Sequence, residues 1–391
     1  MEKLVADSEE KVWSFGAGTD GQLGTGTLQD QLLPQPLPDF PHAVAHIACG
    51  GAHAVALTGD GRVWTWGRGA CGQLGHGEPA NCLQPKLVQL LEPFAVSSVS
   101  AGWSHSGFVT DRGQLFMCGD GSFGQLGNGN PQSCSSPVEV PFFISKHVEQ
   151  VACGMRHSLV LVRESLEGSV YGFGFGRHGQ IGMSISGSGK PESSNVPRII
   201  PGFQKHRILH ICANGDQSAA LSADGQLYTW GRGFGGRSLA VHSPRILTSS
   251  MRFSYVALGW KHALLLADGE LYMLGGNRHG MLSRSQEATV EGQPSISPVQ
   301  YTSEVASTLE RVPCNFGEKA VCIAAGAEHS ALVTEEGKVF TWGWGEHGQL
   351  GLGNTDDQIS PQIVNIGYRR PICDAQIRVY CGSGFTFVVK P

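Results

Sequence analysis

A hexapeptide of the form Gly-x-Gly-x-x-Gly occurs six times in this 391-residue chain, and a seventh copy differs from it at one glycine. The copies recur about every fifty residues and begin at Gly16, Gly67, Gly119, Gly174, Gly231, Gly275 and Gly343. One copy alone would suggest a dinucleotide-binding turn. A recurrence with this period is instead typical of solenoids and propellers, in which each repeat is completed by its neighbours.

Each repeat contains four short segments with the character of β-strands. In one repeat they are Ile47 to Gly50, His53 to Leu57, Val63 to Trp66 and Pro85 to Val88. These segments are rich in β-branched or aromatic residues and are bounded by turn residues, with no helical period between them. We therefore predict an all-β protein in which each repeat is a four-stranded antiparallel meander and seven such sheets form a seven-bladed β-propeller.

The two ends of the chain carry complementary parts of one repeat. The first aromatic segment, Val12 to Phe15, has no partner ahead of it, and the last inner segment, Phe385 to Val389, has none behind it. We expect these segments to pair, because closure removes the exposed edges of an open array. This predicts a single domain over 1–391, with repeats at about 12–63, 64–115, 116–170, 171–227, 228–271, 272–338 and 339–391.

The glycines are interpreted as structural rather than phosphate-binding. Asn277 replaces the second glycine of one hexapeptide, and Asn214 replaces the equivalent of Gly50. Asparagine tolerates left-handed backbone better than most residues, so both changes suggest that backbone conformation is what the glycines provide. A dinucleotide-binding turn also needs a helix directly after the glycines, whereas here Gln22-Leu23-Gly24 and its equivalents follow.

Composition narrows the classes of function. The net charge is −5 and no Lys/Arg-rich run occurs, so direct nucleic-acid binding is not expected. The eleven cysteines form no Cys-x-x-Cys pair, which favours reduced structural thiols over disulfides or a metal site. No apolar stretch reaches the length of a membrane span and the N-terminus is polar, so we expect an intracellular protein of the cytoplasm or nucleus.

Histidine recurs at one position in five repeats, but the pattern does not indicate catalysis. Gln217 and Phe385 occupy that position in two other repeats, which a site formed by all repeats would not tolerate. We interpret the histidines as structural, each bonded within its own blade: His53, His105, His157, His262 and His329. No nucleophile, paired carboxylate or metal-ligand spacing stands out, so we expect neither a catalytic site nor a cofactor.

The turns of the repeat carry the residues that the fold does not dictate. Strands alternate in direction, so the turn before the histidine segment and the loop after the aromatic segment lie at the same end of the propeller. Tryptophan, methionine and arginine are enriched at interface hot spots, so this end is a candidate protein-binding face, although partly packed turn residues would give the same pattern. The candidate residues are Trp103, Met155, Arg156, Asp216, Trp260, Lys261, Glu328 and Trp344.

The repeat after Gly275 is the longest, with extra residues at about 283–296 and 303–320. We expect either a tolerated surface insertion or a partner-binding loop. The segment from Thr302 to Arg311 could form one or two helical turns.

Copies of Gly-Gln-Leu-Gly, Cys-Gly-x-x-His and Trp-Gly together resemble the regulator of chromosome condensation repeat family over about residues 11–390. The resemblance implies a seven-bladed propeller but not one function, since the family includes an exchange factor for the small GTPase Ran, an ultraviolet-B photoreceptor and adaptors. Three hypotheses stay open: a non-catalytic protein-interaction module or regulatory adaptor, a guanine nucleotide exchange factor for a Ran-like GTPase, and a photoreceptor-like protein. We expect protein partners, with a small GTPase as one candidate, and a monomer or weak homodimer.

The photoreceptor type carries tryptophans on adjacent blades, where they cluster. Trp103 and Trp260 belong to the second and fifth blades. Three blades of separation on a circle of seven predicts that these two side chains are too far apart to touch, which argues against photoreception.

Overall fold

The computed structural model describes residues 11–38, 40, 43–163, 168–183, 192–203, 206–234, 240–276, 278–280, 309–313, 317–367 and 376–390. Within these ranges, the strands form seven antiparallel sheets of four strands each. Short 3-10 segments are found at Gln89–Leu91, Pro141–Phe143 and Arg278–Gly280. Among the residues described, no helix is long and apolar enough to cross a membrane.

Each blade places its four strands in order from the central axis outward. The innermost strands of blades one to seven are Val44–Cys49, Val96–Ala101, His147–Cys153, Ile208–Asn214, Tyr255–Leu258, Ala320–Ala325 and Arg378–Cys381. The second strands are His53–Thr58, His105–Thr110, His157–Arg163, Gln217–Ser222, His262–Ala267, His329–Thr334 and Phe385–Lys390. The third strands are Val63–Gly67, Leu115–Gly119, Ser169–Gly174, Leu227–Arg232, Glu270–Gly275, Val339–Gly343 and Lys11–Gly16. The outermost strands are Cys82–Leu87, Cys134–Glu139, Ser194–Ile199, Ala240–Ile246, Glu310–Arg311, Gln358–Ile363 and Gln31–Pro36.

The two chain ends close the propeller. Lys11–Gly16 pairs with Phe385–Lys390 in antiparallel register, from Lys11 opposite Lys390 to Gly16 opposite Phe385. The innermost strand of blade seven also packs against that of blade one. The predictions of a seven-bladed propeller and of closure by the terminal strands are therefore confirmed.

The core consists of apolar clusters between neighbouring blades. Trp66 of blade one is fully buried, and its indole nitrogen donates to the carbonyl oxygen of Gln22 at 2.9 Å. Gln22 lies in a loop of blade seven, and a Cβ added to Gly24 of that loop would lie 2.8 Å from the Trp66 indole nitrogen. Trp230 of blade four makes the same bond to Gln180 of blade three at 2.9 Å, so in these blades the Trp-Gly strand end and the loop of the preceding blade pack together.

Proline marks the outer edge of the propeller. The outermost strands carry Pro34, Pro85, Pro137, Pro197, Pro244 and Pro361. Proline cannot donate a ladder hydrogen bond and is tolerated on edge strands, where it opposes pairing with another chain.

The histidines at the start of the second strands connect neighbouring blades. His53 Nε2 donates to the hydroxyl of Ser106 at 2.9 Å, and Ser106 donates to the carbonyl of Gln73 at 2.8 Å. The same interblade bond joins His105 to Ser158, His157 to Ser218, His262 to Ser330 and His329 to Thr386, at 2.8 to 3.1 Å. The prediction that each side chain bonds within its own blade is wrong, because the blades converge so closely near the axis that the next blade supplies the hydroxyl.

The glycine three residues before each histidine is needed for space, not for left-handed backbone. A Cβ on Gly102 would lie 2.7 Å from Nδ1 of His105, and Gly102 has no left-handed φ. In blade four, Gln217 replaces the histidine, and its amide donates to the carbonyl of Trp260 at 2.7 Å. Asn214 fits because no imidazole lies beneath it, and it does not adopt left-handed backbone. The prediction from Asn214 is therefore wrong; Asn277 lies outside the described residues.

The insertion is described only in part. Glu310–Arg311 is the outermost strand of blade five, with Arg311 opposite Tyr272 and Glu310 opposite Met273. The expectation of helical turns is wrong at these two residues, where the chain instead completes a sheet. Residues 283–296, 303–308 and 314–316 of the insertion lie outside the described residues.

Candidate functional site

The turns between the innermost and second strands surround the mouth of the central channel and are bonded to one another. In six of the junctions a turn N–H donates to a carbonyl of the next blade: Gly51 to Gly102, Trp103 to Gly154, Met155 to Gly215, Trp260 to Ala327, Ala327 to Ser383 and Ser383 to Gly50, at 3.0 to 3.2 Å. Between blades four and five, the side chains of Asn214 and Gln217 donate to Leu258 and Trp260 carbonyls, each at 2.7 Å. This circular series of bonds fixes the positions of the turn residues.

A second set of backbone bonds joins these turns to the hexapeptide loops. Phe175 N–H donates to the carbonyl of Arg156 at 2.8 Å, and Trp344 N–H donates to that of Glu328 at 2.9 Å. The equivalent bond joins Arg232 to Asp216 at 2.9 Å. The turns and the hexapeptide loops therefore form one surface, which we call the loop face.

Trp103 and Trp260 touch across the channel mouth. Their ring centroids lie 5.3 Å apart, with an angle of 51° between the ring planes. The prediction that these side chains are too far apart is wrong, because opposite turns are separated by the width of a narrow channel and not by the distance around the rim. The argument against photoreception from the distance between the two side chains therefore fails. The blades between Trp103 and Trp260 carry Met155 and Gly215 at the equivalent positions, instead of further tryptophans.

The mouth is partly open to solvent. Trp103 is 37% exposed, Trp260 and Met155 are half-buried, and all three line the channel. A Cβ added to Gly51 would lie 2.8 Å from the Trp103 ring, so the indole rests on the glycine of the neighbouring turn. The pair is held on one side and accessible on the other.

The channel below the mouth has a volume of about 500 Å³ and is lined by the innermost strands of all seven blades. Its polar residues include His46, His210, Tyr255 and Tyr380, with His46 packed edge-on against Tyr380 at 5.0 Å. The His46 ring faces the channel, and desolvation by the surrounding protein together with nearby Arg378 lowers its pKa to about 4. The sequence pattern did not lead us to predict that these four residues line a channel. Each lies at an inward-facing position of an innermost strand, and this shared position could have identified them.

Arg156 is exposed and lies over an aromatic group. Its guanidinium carbon is 4.8 Å from the ring centroid of Phe123, which in turn packs edge-on against Phe175 at 5.6 Å. Stacking on a ring limits the conformations of an arginine, so the planar charge is presented in one orientation.

Asp216 and Glu328 are held by neighbouring side chains. The Asp216 side chain is 16% exposed and accepts bonds from His178 and Arg232, each at 2.8 Å. Glu328 is 11% exposed, and its carboxylate lies 3.1 Å from Nε2 of His279. These contacts hold both carboxylates in place on the loop face, and their role in contacting a partner stays a prediction.

The two remaining candidates, Lys261 and Trp344, also lie on the loop face. Lys261 is exposed. Trp344 is half-buried; its ring packs edge-on against His347 at 5.1 Å, and its indole nitrogen donates to Glu346 at 3.2 Å. Among the described residues, no group of histidine, cysteine, aspartate or glutamate is arranged to hold a metal ion.

Comparison with known proteins finds relatives that match most of the chain. Ultraviolet-B receptor UVR8 of Arabidopsis thaliana is 32% identical over 358 residues, which cover 89% of this chain and 75% of the receptor. Secretion-regulating guanine nucleotide exchange factor of Mus musculus is 30% identical over 398 residues, which cover 97% of this chain and 83% of that protein.

The fold comparison agrees with these matches. The crystal structure of human WBSCR16 superimposes with a TM-score of 0.80 at 25% identity, and the match covers 97% of this chain and 98% of that chain. The family model described as RCC1-like domain matches residues 11–388. This chain is therefore a member of the RCC1-like domain family.

Proposed function

We propose that this protein is a non-catalytic interaction module whose loop face binds a partner protein. The observation that carries the proposal is the Trp103–Trp260 pair, with ring centroids 5.3 Å apart at the channel mouth. Large aromatic side chains at the centre of a surface dominate the binding energy of many interfaces. Backbone bonds from both tryptophans to the next blades fix the main chain of both turns before a partner arrives, so little backbone entropy is lost on binding.

The alternative is that the pair serves packing alone. Two features favour binding. Trp103 leaves 37% of its surface exposed. The equivalent turn positions accept Gly51 and Gly215 without a side chain at all, so the fold itself does not require tryptophan there.

Replacing both tryptophans, Trp103→Ala and Trp260→Ala, should weaken partner capture without unfolding the propeller. We expect at least about a tenfold loss, since central aromatic residues each contribute about 1 to 2 kcal/mol or more to an interface. The free energy of unfolding should fall much less than on truncation of a core aromatic residue, which costs about 3 to 5 kcal/mol. Affinity capture from native extract and denaturant unfolding measure the two quantities.

A matched control is Phe142→Ala. Phe142 is 42% exposed and follows an outermost strand, at the end of the propeller opposite the loop face. Partner capture should be unchanged in this variant. A loss of stability typical of a core residue in the double tryptophan variant, with capture intact, would assign the pair to packing.

One observation favours a second function. The match to the relative named as a secretion-regulating guanine nucleotide exchange factor covers 97% of this chain and 83% of that relative. We therefore also propose that the partner is a small GTPase of the Ran-like class and that the chain promotes nucleotide exchange on it.

An exchange factor binds nucleotide-free GTPase much more tightly than the GTP-loaded form, because it replaces the contacts that hold nucleotide and Mg²⁺. A pull-down that presents both forms of each GTPase to the immobilised protein should show this preference. Equal retention of the two forms, or no retention, would remove exchange activity and leave the interaction module.

A further inference from the structure

Charge is distributed unevenly over the loop face. Arg156 and Arg177 of blade three and Lys261 of blade five are exposed at its surface. We call these three residues the cationic arc. Next to Lys261, the neighbouring blade six presents exposed Glu346 and the nearly buried Glu328, and on the far side of the face Arg68 of blade one is exposed.

The carboxylates near the cationic arc are engaged by other side chains. Asp216 accepts hydrogen bonds from His178, Arg232 and Gln180, at 2.8 to 3.1 Å. Glu192, further out on blade three, lies 3.9 Å from Arg198, and Asp120, in the loop of Phe123, accepts a bond from the amide of Gln125 at 3.0 Å. Among the described residues, the part of the loop face formed by blades three to five therefore presents a net positive charge to solvent.

The cationic arc lies beside the tryptophan pair. Arg156 directly follows Met155, which lines the channel mouth, and Lys261 directly follows Trp260. The Arg156 guanidinium is also fixed over the Phe123 ring at 4.8 Å. An aromatic centre flanked on one side by positive charge matches a ligand that carries an apolar side chain next to acidic residues.

We propose that the loop face binds an acidic segment of a partner protein, with its carboxylates against the cationic arc and one aromatic or apolar side chain on Trp103 and Trp260. This inference rests on the proposed function and adds the chemistry of the partner. A nucleic acid fits less well, because the three cations of the arc, even together with Arg68 and Arg232, are fewer than the 6 to 10 phosphate contacts of a typical binding protein, and the neighbouring blade six is acidic.

Charges at the rim of an interface mainly increase the rate of association and its dependence on salt. The proposal therefore predicts a signature beyond affinity. Binding should weaken as salt rises from about 50 to about 200 mM, and removal of the cationic arc should abolish most of that dependence.

The probe is a short fluorescent peptide of alternating glutamate and glycine around one central tryptophan, together with the same peptide carrying glutamine in place of glutamate. The test variant combines Arg156→Glu, Arg177→Glu and Lys261→Glu. The matched control combines Arg112→Glu, Arg207→Glu and Lys319→Glu, which are exposed cations at the opposite end of the propeller. Both variants change the net charge equally.

The glutamate peptide should bind the native protein and the control variant alike, and the arc variant at least about tenfold more weakly. The glutamine peptide should bind all three proteins weakly. Thermal unfolding of both variants checks that they fold, and a glutamine version of the arc variant replaces the glutamate version if the latter does not.

The inference is overturned if the arc variant binds the glutamate peptide as tightly as the control, if both peptides bind equally, or if neither binds at millimolar concentration. Tighter binding of single-stranded oligothymidylate, or of vesicles containing phosphatidylserine, would also overturn it. Failure here is separable from failure of the proposed function: capture from extract that is lost in the tryptophan variant but kept in the arc variant would support an interaction module with a partner that is not acidic.

Discussion

Acidification from about pH 7 to about pH 4 should destabilise this propeller steeply. Burial is the main cause that lowers the pKa of His53, His157 and His329 to about 3 and of His105 and His262 to about 4. In the unfolded chain the same side chains titrate near 6.5. Below that pH the unfolded state therefore binds more protons than the folded state, and the equilibrium shifts towards unfolding.

The sign and window follow from these values. Above about pH 6.5 both states are neutral at these positions, and the stability is at its full value. As the pH falls towards 4, each histidine removes up to about 1.4 kcal/mol per pH unit, so five together remove several kcal/mol per unit. Denaturant unfolding at a series of pH values from 7 to 5 measures the slope, and an unchanged free energy of unfolding over this range would contradict the prediction.

A single substitution tests the assignment to these histidines. Blade seven carries Phe385 at the same position, so His105→Phe imitates a residue that the chain already uses there. We expect this variant to lose some stability at neutral pH, because Ser158 loses its imidazole donor. The change in the free energy of unfolding per pH unit should decrease by the contribution of one histidine. An unaltered pH dependence would mean that other groups cause the acid sensitivity.

The fold was predictable because the repeat encodes contacts between strands that are neighbours in sequence. The strands of one blade can be predicted from the turn residues and the alternation of side chains within its own repeat. The terminal strands around Val12 and Phe385 were the two segments that had no partner next to them in the sequence. Closure followed from counting these parts, and the pairing of Lys11–Gly16 with Phe385–Lys390 confirms it.

The contacts between blades were not predictable in the same way. The bond from His53 to Ser106 and the contact of Trp103 with Trp260 depend on how closely the blades approach near the axis. The distance between blades is set by the packing of all seven sheets together, so it cannot be predicted from the sequence of a single repeat. The burial of Asp216 likewise depends on His178 of the preceding blade, which the pattern of one turn does not reveal.

The Cys-Gly-x-x-His motif now has a physical explanation that one residue tests. A Cβ added to Gly154 would lie 2.5 Å from Nδ1 of His157 and closer still to Cε1. The imidazole has nowhere to move, because it is fully buried and bonded to Ser218 at 2.8 Å. Gly154→Ala should therefore cost about 3 kcal/mol of unfolding free energy, the range of severe overpacking in a core.

The control for this change is Gly59→Ala. Gly59 is exposed, has no left-handed φ, and its added Cβ would meet only the carbonyl of Ala43, at 3.9 Å. Denaturant unfolding should place this variant within about 0.5 kcal/mol of the native protein.

Blade four indicates which second change should restore stability to Gly154→Ala, because in that blade Gln217 replaces the histidine and Asn214 replaces the glycine. His157→Gln alone should destabilise the protein, since the interblade bond to Ser218 is lost. Added to Gly154→Ala, the same change should instead recover part of the stability, because the glutamine side chain can leave the space that the new methyl group needs. The two changes should thus be strongly non-additive, as expected of residues in direct contact. Simple addition of the two costs would mean that the imidazole is not what excludes a side chain at residue 154, and the explanation of the motif would fail.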